Sequence, residues 1–394
     1  MLKIFVPALG RINTQNRDGS EIRFTEVAKR WSKNGAEISI LLPQRELPII
    51  KNEGVTATYH VLSEPIKSEK ESLFNVLLIY GIRVLQAAGC KIKDGFEAIY
   101  CPSDFLVDLI PGLVIKRRNR GAKLVVCLFL VAPNPFRGYE FVTSQGWRRP
   151  TIRGVFYFIT QKISIFLMKY FADLVLVLNS IDKQYLSKYV SEERIRVVNM
   201  GVDYKSLSSI QVKSKSYDGI FLGRLHPQKG LPDLIDIWRL VCDQHNTARL
   251  AVIGGGSEKW FSWLKSEITR QNLSENVDVL GPRFGKEKFA LLKSSKLFLM
   301  PSYYESWGMV ACEAMACGLP VVAYDLPIFA ELFPKGMIRV PIKDVQAFAG
   351  MCLKLLSDES FYNQMAEQAL ETSSAYDWDK IAASDLSELI KLKV

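Results

Sequence analysis

The chain has 394 residues, 48% of them hydrophobic and 23% charged, a composition that excludes a disordered or fibrous protein and suits two domains of about 190 residues each. Its formal net charge of +10 is unevenly spread: residues 1–200 carry 29 Lys and Arg against 18 Asp and Glu, leaving 22 against 23 for residues 201–394. The longest clear apolar run, Leu124 to Pro133, falls short of the ~18 residues expected of a membrane-spanning helix.

In chain order, Leu2 to Val6 predicts a first strand, too short and poorly flanked for a signal peptide. A polar loop follows, with Asp18-Gly19-Ser20-Glu21 at its end. Strands are predicted at Glu37 to Leu42, Ala98 to Tyr100, Lys123 to Leu128, Asp173 to Leu178 and Arg194 to Val198, with helix-forming stretches between them. Lys116, Arg117, Arg118, Arg120 and Lys123 form one basic cluster. Arg148, Arg149 and Arg153 form another, ahead of the aromatic and aliphatic stretch Val155 to Phe171. That stretch reads as a helix packed beneath the strand at 173–178. A basic rim beside apolar aromatics equally suits peripheral contact with an anionic membrane, where each cation is worth about 1 kcal/mol. Nucleic acid is the other partner for a basic face, but no zinc finger, recognition helix or RNP-like strand accompanies these residues, so none is expected.

A boundary is expected after Asn199-Met200-Gly201-Val202-Asp203, giving a domain of residues 1–200 and a second of residues 201–375. The second half offers strands at Tyr217 to Leu222, Ala248 to Ile253, Val277 to Leu280, Lys296 to Met300 and Pro320 to Ala323. Gly254-Gly255-Gly256 reads as a turn between strand and helix. Residues 376–394 begin Tyr376-Asp377-Trp378-Asp379 and continue as an amphipathic run, read as a helix crossing back to the first domain. Strands alternating with helices throughout predict an α/β protein built of doubly wound sheets.

Seven scattered cysteines without a Cys-x-x-Cys pair argue for reduced thiols and a cytoplasmic location. Three histidines, none at zinc spacing with cysteine, and no acidic cluster lead us to expect no metal and no cofactor.

The chemistry concentrates in two segments. In Glu305-Ser-Trp-Gly308-Met309-Val310-Ala-Cys-Glu313, one carboxylate precedes a helix and the other lies two turns inside it, roughly 12 Å away. Gly308, Met309 and Val310 would present helix N-terminal amides, which attract phosphate. The second segment, Gly223-Arg224-Leu225-His226-Pro227-Gln228-Lys229-Gly230, places two cations five residues apart directly after a strand. Arg224 supplies a bidentate fork and Lys229 a point charge, which together can bracket a diphosphate.

With both segments in this order, the chain resembles the retaining glycosyltransferase family 4, whose motifs are Gly-Arg…Lys-Gly and Glu-x7-Glu followed by Ala-Met-Ala-x-Gly-x-Pro-Val-Val-Ala. The resemblance is close over Ile195 to Trp378 and weak before it. It implies a GT-B fold, two Rossmann-like domains facing each other across a cleft. It also implies that Arg224 and Lys229 bind the diphosphate of a nucleotide sugar, Glu313 the ribose hydroxyls and Glu305 the transferred sugar, with Gly223 leaving room beside them. Arg283 and Phe284, after the strand at 277–280, stand where such enzymes hold the base, and Gly19 where the first domain meets the diphosphate.

Two departures accompany the resemblance. The first-domain loop keeps only Gly19 and Glu21 of the family's Gly-Gly-x-Glu. Many relatives also end the strand near 123–128 with a His that touches the transferred sugar, where this chain reads Cys127-Leu128-Phe129-Leu130-Val131. Asn134 and Arg137 are the nearby candidates to replace it. The expected reaction is retaining transfer of a hexose from a UDP-sugar, or from GDP-mannose, to a glycan or lipid-linked glycan. Alternatives of the same fold are an epimerase acting on the nucleotide sugar and a degenerate partner subunit.

Overall fold

The computed structural model describes residues 2–10, 19–64, 72–92, 95–138, 149–212 and 214–392. Asp18, Glu140 and Arg148 lie outside them. Two compact units emerge, one of Met1–Met200 with Trp378–Val394 and one of Gly201–Asp377.

In the first unit seven parallel strands lie in the order β3-β2-β1-β4-β5-β6-β7. They are β1 (Lys3–Pro7), β2 (Glu37–Pro43), β3 (Thr58–Leu62), β4 (Ala98–Cys101), β5 (Lys123–Cys127), β6 (Leu174–Val177) and β7 (Ile195–Val197). The helices between them are α1 (Gly19–Lys33), α2 (Leu47–Asn52), α3 (Leu73–Gly89), α4 (Leu106–Arg118), α5 (Ile152–Phe171) and α6 (Ser180–Leu186). One face of the sheet, with Phe5, Leu41, Ile99, Val126 and Val175, shares a buried core with residues of α3, α4 and α5 such as Ala87, Ile115 and Met168. On α1, Arg23 and Trp31 are fully buried. Arg23 reaches Asp385 at 2.6 Å and the Asn199 carbonyl at 2.9 Å, and the Trp31 indole donates to the Ala382 carbonyl at 2.9 Å. Asp385 and Ala382 belong to α15 (Trp378–Lys391), which packs along α1.

The second unit carries β8 (Tyr217–Leu222), β9 (Leu250–Ile253), β10 (Val277–Gly281), β11 (Ser295–Met300), β12 (Val321–Tyr324) and β13 (Met337–Val340). Its helices are α7 (Tyr204–Ser208), α8 (Leu231–Gln244), α9 (Glu258–Arg270), α10 (Gly285–Lys293), α11 (Met309–Ala316), α12 (Pro327–Leu332), α13 (Val345–Ser357) and α14 (Glu359–Ser373). All pairings are parallel, in the order β10-β9-β8-β11-β12-β13. The order reverses between β8 and β11, so the loops leaving those two strands diverge and open a crevice at their carboxyl ends. In the first unit the same reversal falls between β1 and β4.

Two strands were not read from the sequence, β3 and β13, and both are sheet edges. Central strands such as β4, β6 and β9 are buried at every residue and appear as unbroken apolar runs. The edges Thr-Tyr-His-Val-Leu and Met-Ile-Arg-Val are partly exposed and mixed in polarity, so no run marks them.

Candidate functional site

Glycine makes the crevice of the second unit. After β8, the Gly223 amide donates to the Ile253 carbonyl at 3.0 Å and the Leu225 amide to the Gly255 carbonyl at 2.8 Å. The triple glycine after β9 is therefore more than a turn, because it clasps the Gly223–Leu225 segment. A Cβ on Gly254 would lie 1.7 Å from the Gly223 carbonyl oxygen, and one on Gly256 would lie 2.7 Å from Leu225 Cβ. Gly254→Ala should displace the loop bearing Arg224, lowering Tm by about 5 °C or more and abolishing nucleotide binding. Gly255→Ala, with no neighbour within 4 Å of its added Cβ, should leave both unchanged, and calorimetry on the pair checks the contrast.

The loop continues through a single 3-10 turn, Pro227–Lys229, capped by His226 Nδ1 accepting from the Gln228 amide at 3.1 Å. Burial and the neighbouring Arg224 and Lys229 charges hold the His226 imidazole below its usual pKa. Gly230 then turns the chain with φ 69°, and a Cβ there would sit 1.8 Å from the Pro301 carbonyl oxygen. The loop after β11 is thus pressed against the loop after β8, and the Tyr303 amide donates to the Gln228 carbonyl at 2.9 Å.

This closure brings Lys229 onto Glu305, Nζ to Oε1 2.6 Å, with side chains only 21% and 10% exposed. The expected diphosphate cation and the expected sugar carboxylate therefore form one ion pair. Arg224 is exposed and makes one long side-chain contact, 3.4 Å to Gln228 Oε1. Beyond Glu305, Gly308 adopts φ 95° as the N-cap of α11. The Met309 and Val310 amides open that helix and have no intrahelical carbonyl to bond. A Cβ on Gly308 would meet the Phe329 ring at 3.0 Å and the Phe333 ring at 3.2 Å, so the helix start is seated on aromatics.

Glu313 lies on the second turn of α11 and is 7% exposed. Its Oε1 accepts from Lys288 Nζ at 2.7 Å, while Oε2 is buried and accepts no hydrogen bond from the described residues. Lys288, on α10, escaped the sequence reading. It stands 25 residues from its partner, and only the packing of α10 against α11 brings the two together. At the start of α10, Arg283 pairs with Glu287 at 3.0 Å, and the Phe284 ring is 65% exposed. Among the described residues, no three His, Cys, Asp or Glu side chains group to hold a metal ion.

Gly223, Arg224, Lys229, Glu305, Gly308, Met309, Val310 and Glu313 thus gather on the loops after β8 and β11 and on α11, whereas Gly19 belongs to the first unit at the start of α1. The positions weighed for the missing His are occupied otherwise. Cys127 and Leu128 are fully buried, and the Asn134 side-chain oxygen accepts from the Phe136 and Arg137 amides at 2.9 and 3.2 Å, holding its own turn. At the reversal point of the first unit, Ser20, Glu21, Ser103 and Asp108 line a pocket. Asp108 accepts from the Leu9 amide at 2.7 Å and the Ser103 hydroxyl at 2.5 Å, and burial pushes its carboxyl up to about 7.

Known proteins share this architecture. HepE of Anabaena, solved in complex with UDP and glucose, superposes with a TM-score of 0.74 at 19% identity, over 99% of this chain and 100% of that one. Sucrose-phosphate synthase of Thermosynechococcus elongatus gives 0.75 at 18% identity, over 100% and 99%. In sequence, the phosphatidyl-myo-inositol mannosyltransferase of Mycobacterium leprae is 29% identical over 216 residues, 53% of this chain and 56% of that protein. The chain therefore spans little more than half the length of that relative. The fold is α/β of the GT-B type, and the clasped loops, the ion pairs and Glu313 all lie within residues 205–372, the stretch that matches the family model of the glycosyl transferases group 1.

Proposed function

We propose that the protein is a retaining glycosyltransferase that moves a hexose from a nucleoside diphosphate sugar to a hydroxyl of a glycan or lipid-linked glycan. The observation that carries this reading is Glu313. A buried carboxylate with one oxygen on Lys288 and the other without a donor is costly unless a hydroxyl completes it. It stands one helical turn from the first amides of α11, which suit a diphosphate. Ribose hydroxyls on Glu313, diphosphate on Arg224, Lys229 and the α11 amides, and hexose against Glu305 give each of these groups a partner. Arg283 and the exposed Phe284 ring would hold the base. UDP is the first choice of nucleotide because it occupies the HepE structure; GDP-mannose is the second.

As the anomeric C–O bond breaks, negative charge grows on the departing diphosphate, and fixed positive groups stabilise it most where water is excluded. The acceptor oxygen attacks from the face the leaving group vacates, its proton passes to the diphosphate, and configuration is retained. No side chain is needed as general base, and the cations and helix terminus take the place of a metal. The carboxyl-lined pocket of the first unit suits a neutral polyhydroxylated acceptor. A cytoplasmic enzyme drawing on soluble nucleotide sugars fits the seven free cysteines. A panel of UDP-, GDP-, ADP- and dTDP-sugars, scored by thermal shift and by nucleotide release with and without glycan acceptors, tests the reading. Stabilisation by one nucleotide and acceptor-dependent release of its diphosphate are expected. Turnover of the donor without acceptor and without release would identify an epimerase instead, and binding without turnover a partner subunit.

A further inference from the structure

The outer face of α3 is apolar where a water-facing helix would be polar. Phe74 is 73% exposed, Leu77 40%, Leu78 41% and Leu85 75%. They share one arc of the helix, opposite the buried Ile79, Arg83 and Ala87. Arg83 is the only charged residue of α3, and it points inward to Glu64 at 2.8 Å and to the Leu9 carbonyl at 2.6 Å. Its solvent side therefore carries no charge.

The same inversion recurs on α5. Ile152, Phe156, Ile159, Ile163, Phe166 and Tyr170 recur at spacings of three and four, forming a stripe directly opposite the buried Gln161, Ser164, Ile165 and Met168. Ile152 is 79% exposed, Ile159 52%, Ile163 45%, and Phe166 and Tyr170 59% each. A helix apolar on both sides needs an apolar neighbour on both sides, yet among the described residues only the core side has one. α4 packs against both α3 and α5, and all three helices share one core on the same face of the sheet. The two stripes therefore lie on the same face of the sheet, on either side of α4, and exposed apolar stripes of this kind mark contact surfaces.

Charge identifies the occupant. Lys169 borders the α5 stripe on one side and Arg153 on the other, and Arg117 is exposed at the end of α4 between the helices; Lys162, on the Lys169 side, is held by the Tyr185 hydroxyl at 2.6 Å. The cluster at 116–120 contributes less than its sequence suggests. Lys116 pairs with Asp173, and Arg118 is spent on the Ala88 and Cys90 carbonyls at 2.7 and 2.8 Å, closing the end of α3. No described helix is long and apolar enough to cross a membrane. Aromatic and aliphatic side chains between flanking cations match the boundary of an anionic bilayer, with the rings among the acyl chains and Lys169, Arg153 and Arg117 reaching the phosphates.

We infer that the α3–α4–α5 face docks the protein onto an anionic phospholipid surface, its apolar stripes entering the headgroup boundary. The inference stands apart from the donor site and deepens the transfer reading by placing its acceptor on a lipid. The test is flotation of the full chain with phosphatidylcholine vesicles, with and without phosphatidylglycerol, at physiological salt. The unaltered protein should float with the anionic vesicles and much less with neutral ones. Phe74→Ser with Leu85→Ser, and separately Ile159→Ser with Phe166→Ser, should each reduce binding at least tenfold. All four positions are exposed, and UDP binding by calorimetry should be unchanged, which separates this inference from the donor assignment. Failure of the unaltered chain to float, equal binding to neutral vesicles, or binding undiminished by the substitutions would overturn it. So would a solution dimer that the same substitutions dissolve, since the face would then belong to a second copy.

Discussion

Arg224→Ala should release nucleoside diphosphate from the cognate donor at a tenth of the unaltered rate or less, with Tm unchanged. The residue is exposed and its one described side-chain contact is the 3.4 Å approach to Gln228, so its removal costs the fold almost nothing. In the transition state it would face the growing charge of the leaving diphosphate, where a tenfold loss corresponds to about 1.4 kcal/mol. Lys229→Ala should lower the rate at least as much, but by two routes. It removes a phosphate contact and it strands Glu305, whose side chain is 10% exposed and bonded to Lys229 at 2.6 Å. A drop in Tm is therefore expected for Lys229→Ala and not for Arg224→Ala. Single-turnover release assays beside thermal melts check both, and near-normal release by either variant would contradict the diphosphate assignment.

The two glutamates should fail differently. Glu313→Ala should weaken binding of the bare nucleoside diphosphate at least tenfold, because the ribose is present whether or not a sugar is attached and a hydrogen bond to a charged acceptor is worth roughly 1.5–3 kcal/mol. Glu305→Ala should leave that binding nearly intact, or strengthen it by freeing Lys229, and should impair transfer instead. Titration calorimetry with the nucleotide alone separates the two outcomes. Equal losses for both variants would contradict the division of roles. Glu313→Gln is the control for Lys288, which faces a neutral oxygen instead of an empty space.

The doubly wound fold was legible because central parallel strands are buried on both faces and announce themselves as apolar runs between helix-length stretches. Edge strands do so less surely: β7 and β10 were read, whereas β3 and β13, mixed in polarity, were lost. In the site, Glu305 and Glu313 stand near each other in sequence, as do Arg224 and Lys229, so local spacing exposed all four. Lys288 was invisible because its role comes from two helices meeting across 25 residues. The apolar outer face of α3 and α5 was half legible. Net charge pointed to the first domain, but counting cations cannot tell Lys116 and Arg118, tied within the fold, from Arg117, which is exposed. The sequence also hid which side of the 155–171 helix faces outward, since both sides are apolar.

The helix α15 carries a consequence for how the protein is made. Residues 201–377 are inserted between β7 and α15, so a ribosome finishes the second unit before it delivers the helix that completes the first. Until then Arg23 lacks Asp385 and the Trp31 indole lacks the Ala382 carbonyl, which leaves a guanidinium without its carboxylate and an indole N–H without its acceptor. Domains commonly mature in the order of synthesis, but here the amino-terminal one matures last. All seven strands of its sheet precede residue 200, but the helix that packs along α1 arrives only after residue 377, so truncation before α15 is expected to destabilise the first unit rather than the second.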